Sequence, residues 1–279
     1  MKKRLKLLGI TFLIFGICLV CGLVIPSDSA VYPVGGNIMV PAATDTRTSV
    51  ELPVLMYHSI SEDSAKNEYN ITPQAFESDL KWLKDNGYTT ISAKQLADYV
   101  ENGTMLPEKP VLLTFDDGYE NNYTNAFPLL KKYNMKAVIS LIGKDMRLNE
   151  NQLKEMHDSG LVEIGSHTYD LHSISGDVKG ADKKPGETQE EYRKRLTDDL
   201  QKSIDEITRI TGEAPIVFAW PYGAYPLDRS ADQILKDLGF KVSLTSYQIK
   251  NNIEKDNPDS TLGLRRFLRT PDFDISRII

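Results

Sequence analysis

The chain has 279 residues, 41% of them hydrophobic and 26% charged, enough to bury one large core in a globular domain with an appendage. Its 33 basic and 39 acidic residues leave a net charge of -6, and Lys2, Lys3, Arg4 and Lys6 account for four of the basic ones, so everything beyond them is more acidic still. A field of that sign argues against nucleic acid as a partner and leaves neutral or cationic polymers open, although it also serves plain solubility.

After the basic first six positions, residues 7–25 form an uncharged, mostly apolar run that stops before Pro26. Such a segment is an export signal or a membrane anchor. Its length suits a bilayer span, while Ser27 and Ser29 suit cleavage before Ala30, so both outcomes stay open. A retained anchor in the cytoplasmic membrane, with the rest of the chain extracytoplasmic, is the expectation; secretion after cleavage is the alternative. Val20 is bulky where lipidation of Cys21 needs a small residue. Both cysteines, Cys18 and Cys21, lie in this run, so the exported part holds no disulfide and any metal site there must use nitrogen and oxygen ligands.

Residues 26–50 are small, polar and Gly/Pro-bearing, which reads as a flexible stalk, and the folded domain is expected over 51–279. From there, short apolar runs at 54–57, 111–115, 137–142, 162–165, 216–219, 242–245 and 262–268 read as seven strands. They alternate with amphipathic stretches, the pattern of a parallel α/β fold. Thr72 caps a helix with Pro73 at its first position and Phe76, Leu80 and Leu83 at helical spacing. Further helices are expected after Ser92 and over 122–132, 149–158, 188–211 and 229–238, the last ending at Gly239. The polar, Gly- and Lys-rich stretch 175–186 reads as a surface loop. Its position after a strand would let it border a site, but a plain insertion accounts for it equally.

Thr114-Phe115-Asp116-Asp117-Gly118 closes a strand with two adjacent carboxylates and a glycine on which the chain can turn. In α/β proteins sites are built at that end of a strand, yet adjacent acids also serve as a helix N-cap and first turn. Ser166-His167-Thr168-Tyr169-Asp170-Leu171-His172 lies at another strand end. Histidines at this spacing fall on different faces of a helix and can share a metal only where the chain turns between them. With one carboxylate they would form a His₂Asp set that leaves coordination positions open for water and substrate; a pair of surface histidines is the plainer reading. His58 also falls at a strand end, whereas His157 sits among charges on a helix and reads as a solvated surface residue. No G-x-S-x-G, H-E-x-x-H, Walker loop or G-x-G-x-x-G occurs, which removes the usual support for serine-hydrolase, zincin and nucleotide-binding readings.

Thr114 to Gly118 resembles the first motif of the polysaccharide deacetylase family, the NodB-homology or carbohydrate esterase family 4 enzymes. Ser166-His167-Thr168 with His172, and Trp220-Pro221-Tyr222-Gly223, resemble further motifs in the same order, over roughly 52–268. The opening Leu55-Met56-Tyr57-His58-Ser59-Ile60 and the form of the other motifs are similar to the branch that deacetylates poly-N-acetylglucosamine in biofilm exopolysaccharide. The resemblance implies a distorted, seven-stranded (β/α) barrel. It implies a hydrolase that removes N-acetyl groups from N-acetylated polysaccharide, with peptidoglycan as the rival substrate and a non-catalytic glycan-binding protein as the rival of another class.

It further implies that Asp117, His167 and His172 bind a divalent metal and that Asp116 is the general base. Zinc is expected, while cobalt, nickel or iron would suit the same nitrogen and oxygen ligands. The backbone N–H of Tyr222 is implied to hold the oxyanion and His58 to protonate the leaving amine. Tyr57, Trp220, Tyr222 and Tyr225, with Pro221 among them, are the candidates for lining a sugar groove, though aromatic residues at strand ends are more often packed. The chain departs from the family in having Ala219 where many members carry an arginine; Arg266, in the last expected strand, is the candidate to approach the base from another side. No histidine lies near the C-terminus, where many members hold their acid, and this places the weight on His58.

Overall fold

The apolar runs are too hydrophobic to leave either face in water, and they assemble as parallel strands buried on both sides. In the computed structural model, which describes residues 47–63, 67–273, 275–277 and 279, the strands Val54–Tyr57, Pro110–Phe115 and Ala137–Leu141 are buried at every position. The sheet runs in the order Val242–Leu244, Val217–Ala219, Val162–Ser166, Ala137–Leu141, Pro110–Phe115, Val54–Tyr57 and Phe267–Leu268. Every pairing along this path is parallel. Thr89–Thr90 adds an eighth, two-residue strand beside Pro110 and Val111.

The sheet curls until its ends meet. Leu264 forms a parallel bridge with Leu244 on one edge strand, and Phe267–Leu268 pairs with Leu55 and Met56 on the other. The expected strand over 262–268 is therefore two short contacts rather than one strand, because this segment must cross from edge to edge. The architecture is the distorted (β/α) barrel, seven strands around its path, that the sequence predicts.

Strand alternation sorts the side chains into two layers. Leu55, Leu113 and Ile139 point outward into a cluster with Phe76, Leu80, Leu83, Phe127 and Leu153 of the covering helices. Val54, Leu112 and Val138 belong to a second cluster with Val217, Val242, Leu244 and Leu264. Continuing the same alternation up one strand from Leu112 brings Thr114 and then Asp116 to that inner side, both buried, so register alone delivers an acid to the top of the barrel.

Local signals place the helices. Thr72 caps Pro73–Asp85, Ser92 forms a capping box on Ala93–Asn102, and Thr188 forms another on Gln189–Thr211. The expected helix over 122–132 begins instead with a π-turn, Asn122–Ala126, before Phe127–Tyr133. The expected helix over 229–238 is shorter, Asp232–Asp237. Ser49 and Val50, within the expected stalk, pair in a strand Ser49–Leu52 with Asn251–Glu254, so the folded domain begins before residue 51. The expected membrane segment, 1–25, lies outside the described residues, as does most of the stalk. Among the described residues no helix is long and apolar enough to cross a membrane.

Candidate active site

Three strand ends meet at the top of the barrel, each with a residue held in the left-handed region of backbone space. Asp117 (φ 69°), Thr168 (φ 73°) and Tyr222 (φ 59°) are non-glycine residues with positive φ, and each lies in one of the three motifs. Strain of this kind persists only where the surroundings over-determine it. At Gly118, next to Asp117, φ is 62° and a Cβ would come within 2.5 Å of Leu141 Cδ2, so only glycine lets this turn pack.

The structure brings Asp117, His167 and His172 together. His167 Nε2 and His172 Nε2 are 3.2 Å apart, and Asp117 Oδ1 lies 3.6 Å from the first and 3.4 Å from the second. Ligand atoms about 2.0–2.1 Å from a tetrahedral zinc are separated by roughly 3.4 Å, so the triangle already has the edges such an ion requires. The tautomer fits as well. His167 Nδ1 faces the Ala219 carbonyl at 2.8 Å, which can only accept, so Nδ1 carries the proton and Nε2 offers its lone pair. Burial lowers the His172 pKa, followed by the neighbouring His167, and this too favours the neutral ligand form.

The loop between the two histidines is held from the long helix. Asp199 accepts the backbone N–H of Tyr169 at 2.8 Å and of Asp170 at 2.9 Å, while Ser166 Oγ contacts Ser203 Oγ at 2.8 Å. Asp199 had no motif to mark it; its buried place on Gln189–Thr211 is a product of the tertiary fold.

Asp116 is 3% exposed, and its carboxylate is gripped by Arg266, itself fully buried. Nη1 donates to Oδ1 and Nη2 to Oδ2, both at 2.7 Å, while Nε donates to the Thr245 carbonyl at 2.6 Å. Burial pushes the Asp116 pKa up, but Arg266 and then His167 outweigh it, and the carboxyl is held well below the usual carboxylate range. Asp116 Oδ2 is 4.0 Å from His167 Nε2, so the base candidate stands beside the donor triangle. Arg266 thus reaches Asp116 from the last barrel segment, whereas Ala219 has no side chain to do so.

His58 lines the same cleft, which holds about 430 Å³. Its ring packs edge-on against Tyr69 with centroids 4.7 Å apart, and its Nδ1 is buried without a hydrogen-bond partner. Burial lowers its pKa, with Asp116 and Asp117 opposing. Tyr222 is 44% exposed, its ring centroid is 5.0 Å from that of His172, and its backbone N–H has no acceptor among the described residues.

The other groove candidates are not there. Tyr57 is 1% exposed, stacks on Phe115 and donates its hydroxyl to Asp79 Oδ2 at 3.2 Å. Trp220 is fully buried against Phe218 and Tyr225, and Pro221 is buried behind Gly180. Tyr225 is turned away, its hydroxyl donating to Asp232 at 2.9 Å. All four sit beside a strand end but face the packed side. Aromatics that do line the cleft are Tyr69, Tyr119 and Tyr222. Tyr119 directly follows the aspartate motif and could have been found by adjacency. Tyr69 reaches the site through the pairing of its carbonyl with Ser59 N–H at 3.1 Å and of Asn70–Ile71 with Ser59–Ile60, for which the sequence holds no signal. The stretch 175–186 is not only a loop: Ile174–Ser175 and Val178–Lys179 pair as a hairpin, and Ile174 and Lys179 line the cleft. His157 is half-buried on Glu150–Asp158, beside a separate cavity and away from this site.

Known proteins place the same residues in a family context. The polysaccharide deacetylase profile matches residues 104–243, half of the chain, spanning all three motifs. YxkH of Bacillus subtilis is 44% identical over 135 residues, 47% of each chain. The poly-beta-1,6-N-acetyl-D-glucosamine N-deacetylase of Escherichia coli K12 is 30% identical over 68% of this chain, which spans 33% of that protein's length. Among solved structures, a de-N-acetylase from Aggregatibacter actinomycetemcomitans superposes with a TM-score of 0.71 at 30% identity, over 82% of this chain and 98% of that one. This chain belongs to the polysaccharide deacetylase family.

Proposed function

We propose that the protein is a metal-dependent hydrolase that removes N-acetyl groups from an N-acetylglucosamine polymer of the poly-β-1,6-linked type, outside the cell and held to the membrane through residues 1–25. The observation that carries this reading is the donor triangle of Asp117, His167 and His172 with the arginine-clamped Asp116 beside it, on the floor of an open cleft. The kinship with the poly-beta-1,6-N-acetyl-D-glucosamine N-deacetylase of Escherichia coli and the aromatic lining of the cleft support the choice of polymer.

Asp117, His167 and His172 would hold the ion, for which zinc best suits two imidazoles and a carboxylate. When bound, a divalent ion of this kind polarises the acetamide carbonyl and lowers the pKa of an adjacent water, to about 7 for zinc. The Asp116 carboxylate takes a proton from the attacking water as the new C–O bond forms. Arg266 favours the ionised, proton-accepting form of this carboxylate. The Tyr222 N–H, which has no acceptor among the described residues, is available to the oxyanion. As the C–N bond breaks, His58 donates its proton to the departing amine, and the products are acetate and a free amino sugar. Tyr69, Tyr119 and Tyr222 offer faces on which sugar rings can stack.

The test is acetate release from poly-β-1,6-N-acetylglucosamine and from peptidoglycan, measured side by side. Release from the first alone supports the proposal. Release from the second alone moves the substrate to the cell wall, and binding of either without release replaces the enzyme with a glycan-binding protein.

A further inference from the structure

His58 differs from the other site histidines in how it is held. His167 is oriented through its ring, by the contact of Nδ1 with the Ala219 carbonyl. Among the described residues the Nδ1 of His58 is buried without a hydrogen-bond partner, and the Tyr69 ring packs edge-on against the imidazole. The hydrogen bond that holds residue 58 in place falls instead on its backbone.

That backbone is gripped by three asparagines of the segment that follows Asp116 and Asp117. Asn122 Nδ2 donates to the His58 carbonyl at 2.7 Å, and Asn121 Nδ2 donates to Ser59 Oγ at 2.9 Å. Asn121 Oδ1 accepts the Ile60 N–H at 3.0 Å, and Asn125 Nδ2 donates to the Ile60 carbonyl at 2.8 Å. Four hydrogen bonds thus fall on three successive residues, and Asn122 is fully buried. The π-turn Asn122–Ala126, closed by Phe127 N–H to the Asn122 carbonyl, lies in this same segment with Asn121 just before it, and all three amides meet residues 58–60, of which Ser59–Ile60 is a short strand paired with Asn70–Ile71. A π-turn departs from regular helix at a cost and often marks a functional position. Asparagine is itself a poor helix former.

We infer that Asn121, Asn122 and Asn125 are positioning residues for His58, tying residues 58–60, which carry the proton donor, to the segment that carries the base and a metal ligand. The inference rests on the reading of His58 as the acid for the leaving amine. Misplacement of a reacting group by about 1 Å can cost on the order of 100-fold in rate, so the loss of one tether can be felt in catalysis without loss of the fold.

The experiment uses full-length, metal-loaded protein and two substrates. One is a β-1,6-linked N-acetylglucosamine oligomer, whose amine must be protonated to leave; the other is 4-nitrophenyl acetate, whose phenolate leaves without a proton. Asn122→Ala, the half-buried Asn121→Ala and Asn125→Ser are compared with His58→Ala, with bound metal and thermal unfolding measured for each. The expected result is a fall in kcat on the oligomer of about tenfold to 100-fold for Asn122→Ala, with KM, metal content and ester hydrolysis within about threefold of wild type. Parallel loss on both substrates, or loss of metal, would make the asparagines merely structural and overturn the inference. Selective loss in His58→Ala with unchanged kcat in all three asparagine variants would overturn it as well. If His58→Ala itself lowers both substrates equally, or neither, the acid reading fails, and the inference falls with it for that separate reason.

Discussion

Arg266 and Asp116 face each other as a two-pronged ion pair, Nη1 to Oδ1 and Nη2 to Oδ2, both at 2.7 Å, with both side chains almost entirely buried at the floor of the cleft. The pair joins the last barrel segment to the strand that bears the aspartate motif, 150 residues earlier. A buried fork of this kind does two things at once: it fixes the carboxylate plane and keeps the carboxylate ionised.

Arg266→Met removes both effects at once. Without the guanidinium, burial is left to push the Asp116 pKa upward, so the acid limb of kcat/KM against pH should move to higher pH, while bound metal is retained. The stability argument has a definite sign. The wild-type Asp116 pKa is depressed, so its contribution is present above the unfolded value of about 3.9 and is lost only as pH falls toward the folded value. The variant should therefore lose about 3–5 kcal/mol near neutrality, where it leaves a buried charge unpaired, and less near pH 4. An unmoved acid limb, with urea unfolding unchanged, would show that the fork does not tune the base.

Asp199→Ala removes the acceptor of the Tyr169 and Asp170 N–H groups that hold the loop between His167 and His172. Partners that orient metal ligands are worth about 10–100-fold in affinity. A loss of that size, read by competition against a chelating dye, is expected together with about 1–3 kcal/mol of stability for the two freed N–H groups. Wild-type metal affinity in a folded variant would contradict this role.

A second buried fork fastens the end of the barrel. Arg269 Nε donates to Asp79 Oδ2 at 2.7 Å and Nη2 to Oδ1 at 3.1 Å, and Tyr57 donates to the same carboxylate. Asp79→Ala alone should cost about 3–5 kcal/mol because it strands a buried guanidinium, whereas replacing both partners by apolar residues of similar volume should recover most of that loss. Denaturant unfolding of both single variants and the double variant measures the coupling; additive losses would mean that the pair does not act as a unit.

Much of the site could be read in the sequence because the metal candidates lie in short contiguous motifs at strand ends, where strand and turn chemistry fix their placement. Asp117 and Gly118 announce a turn, and His167 with His172 need only a loop between them. Arg266 was approachable for a different reason: Ala219 left a role vacant, and few arginines lie in an apolar run. Tyr222 lines the cleft as expected, but Tyr57 and Trp220 do not, because parallel strands here are buried on both faces and the pattern around either carries no sign of which way its ring points. Tyr69, Asp199 and the asparagine tethers act through contacts between segments far apart in the chain, or through a local π-turn, and neither leaves a periodic signature.

The central claim is that Asp117, His167 and His172 hold a metal on which hydrolysis depends. It is tested most directly by acetate release from poly-β-1,6-N-acetylglucosamine by protein as purified, after chelator treatment, and after zinc is restored, with Asp117→Ala carried in parallel. The account predicts release that is lost on chelation, regained with zinc in the wild type and absent from the variant. Undiminished release by the stripped protein, or by Asp117→Ala, would contradict it.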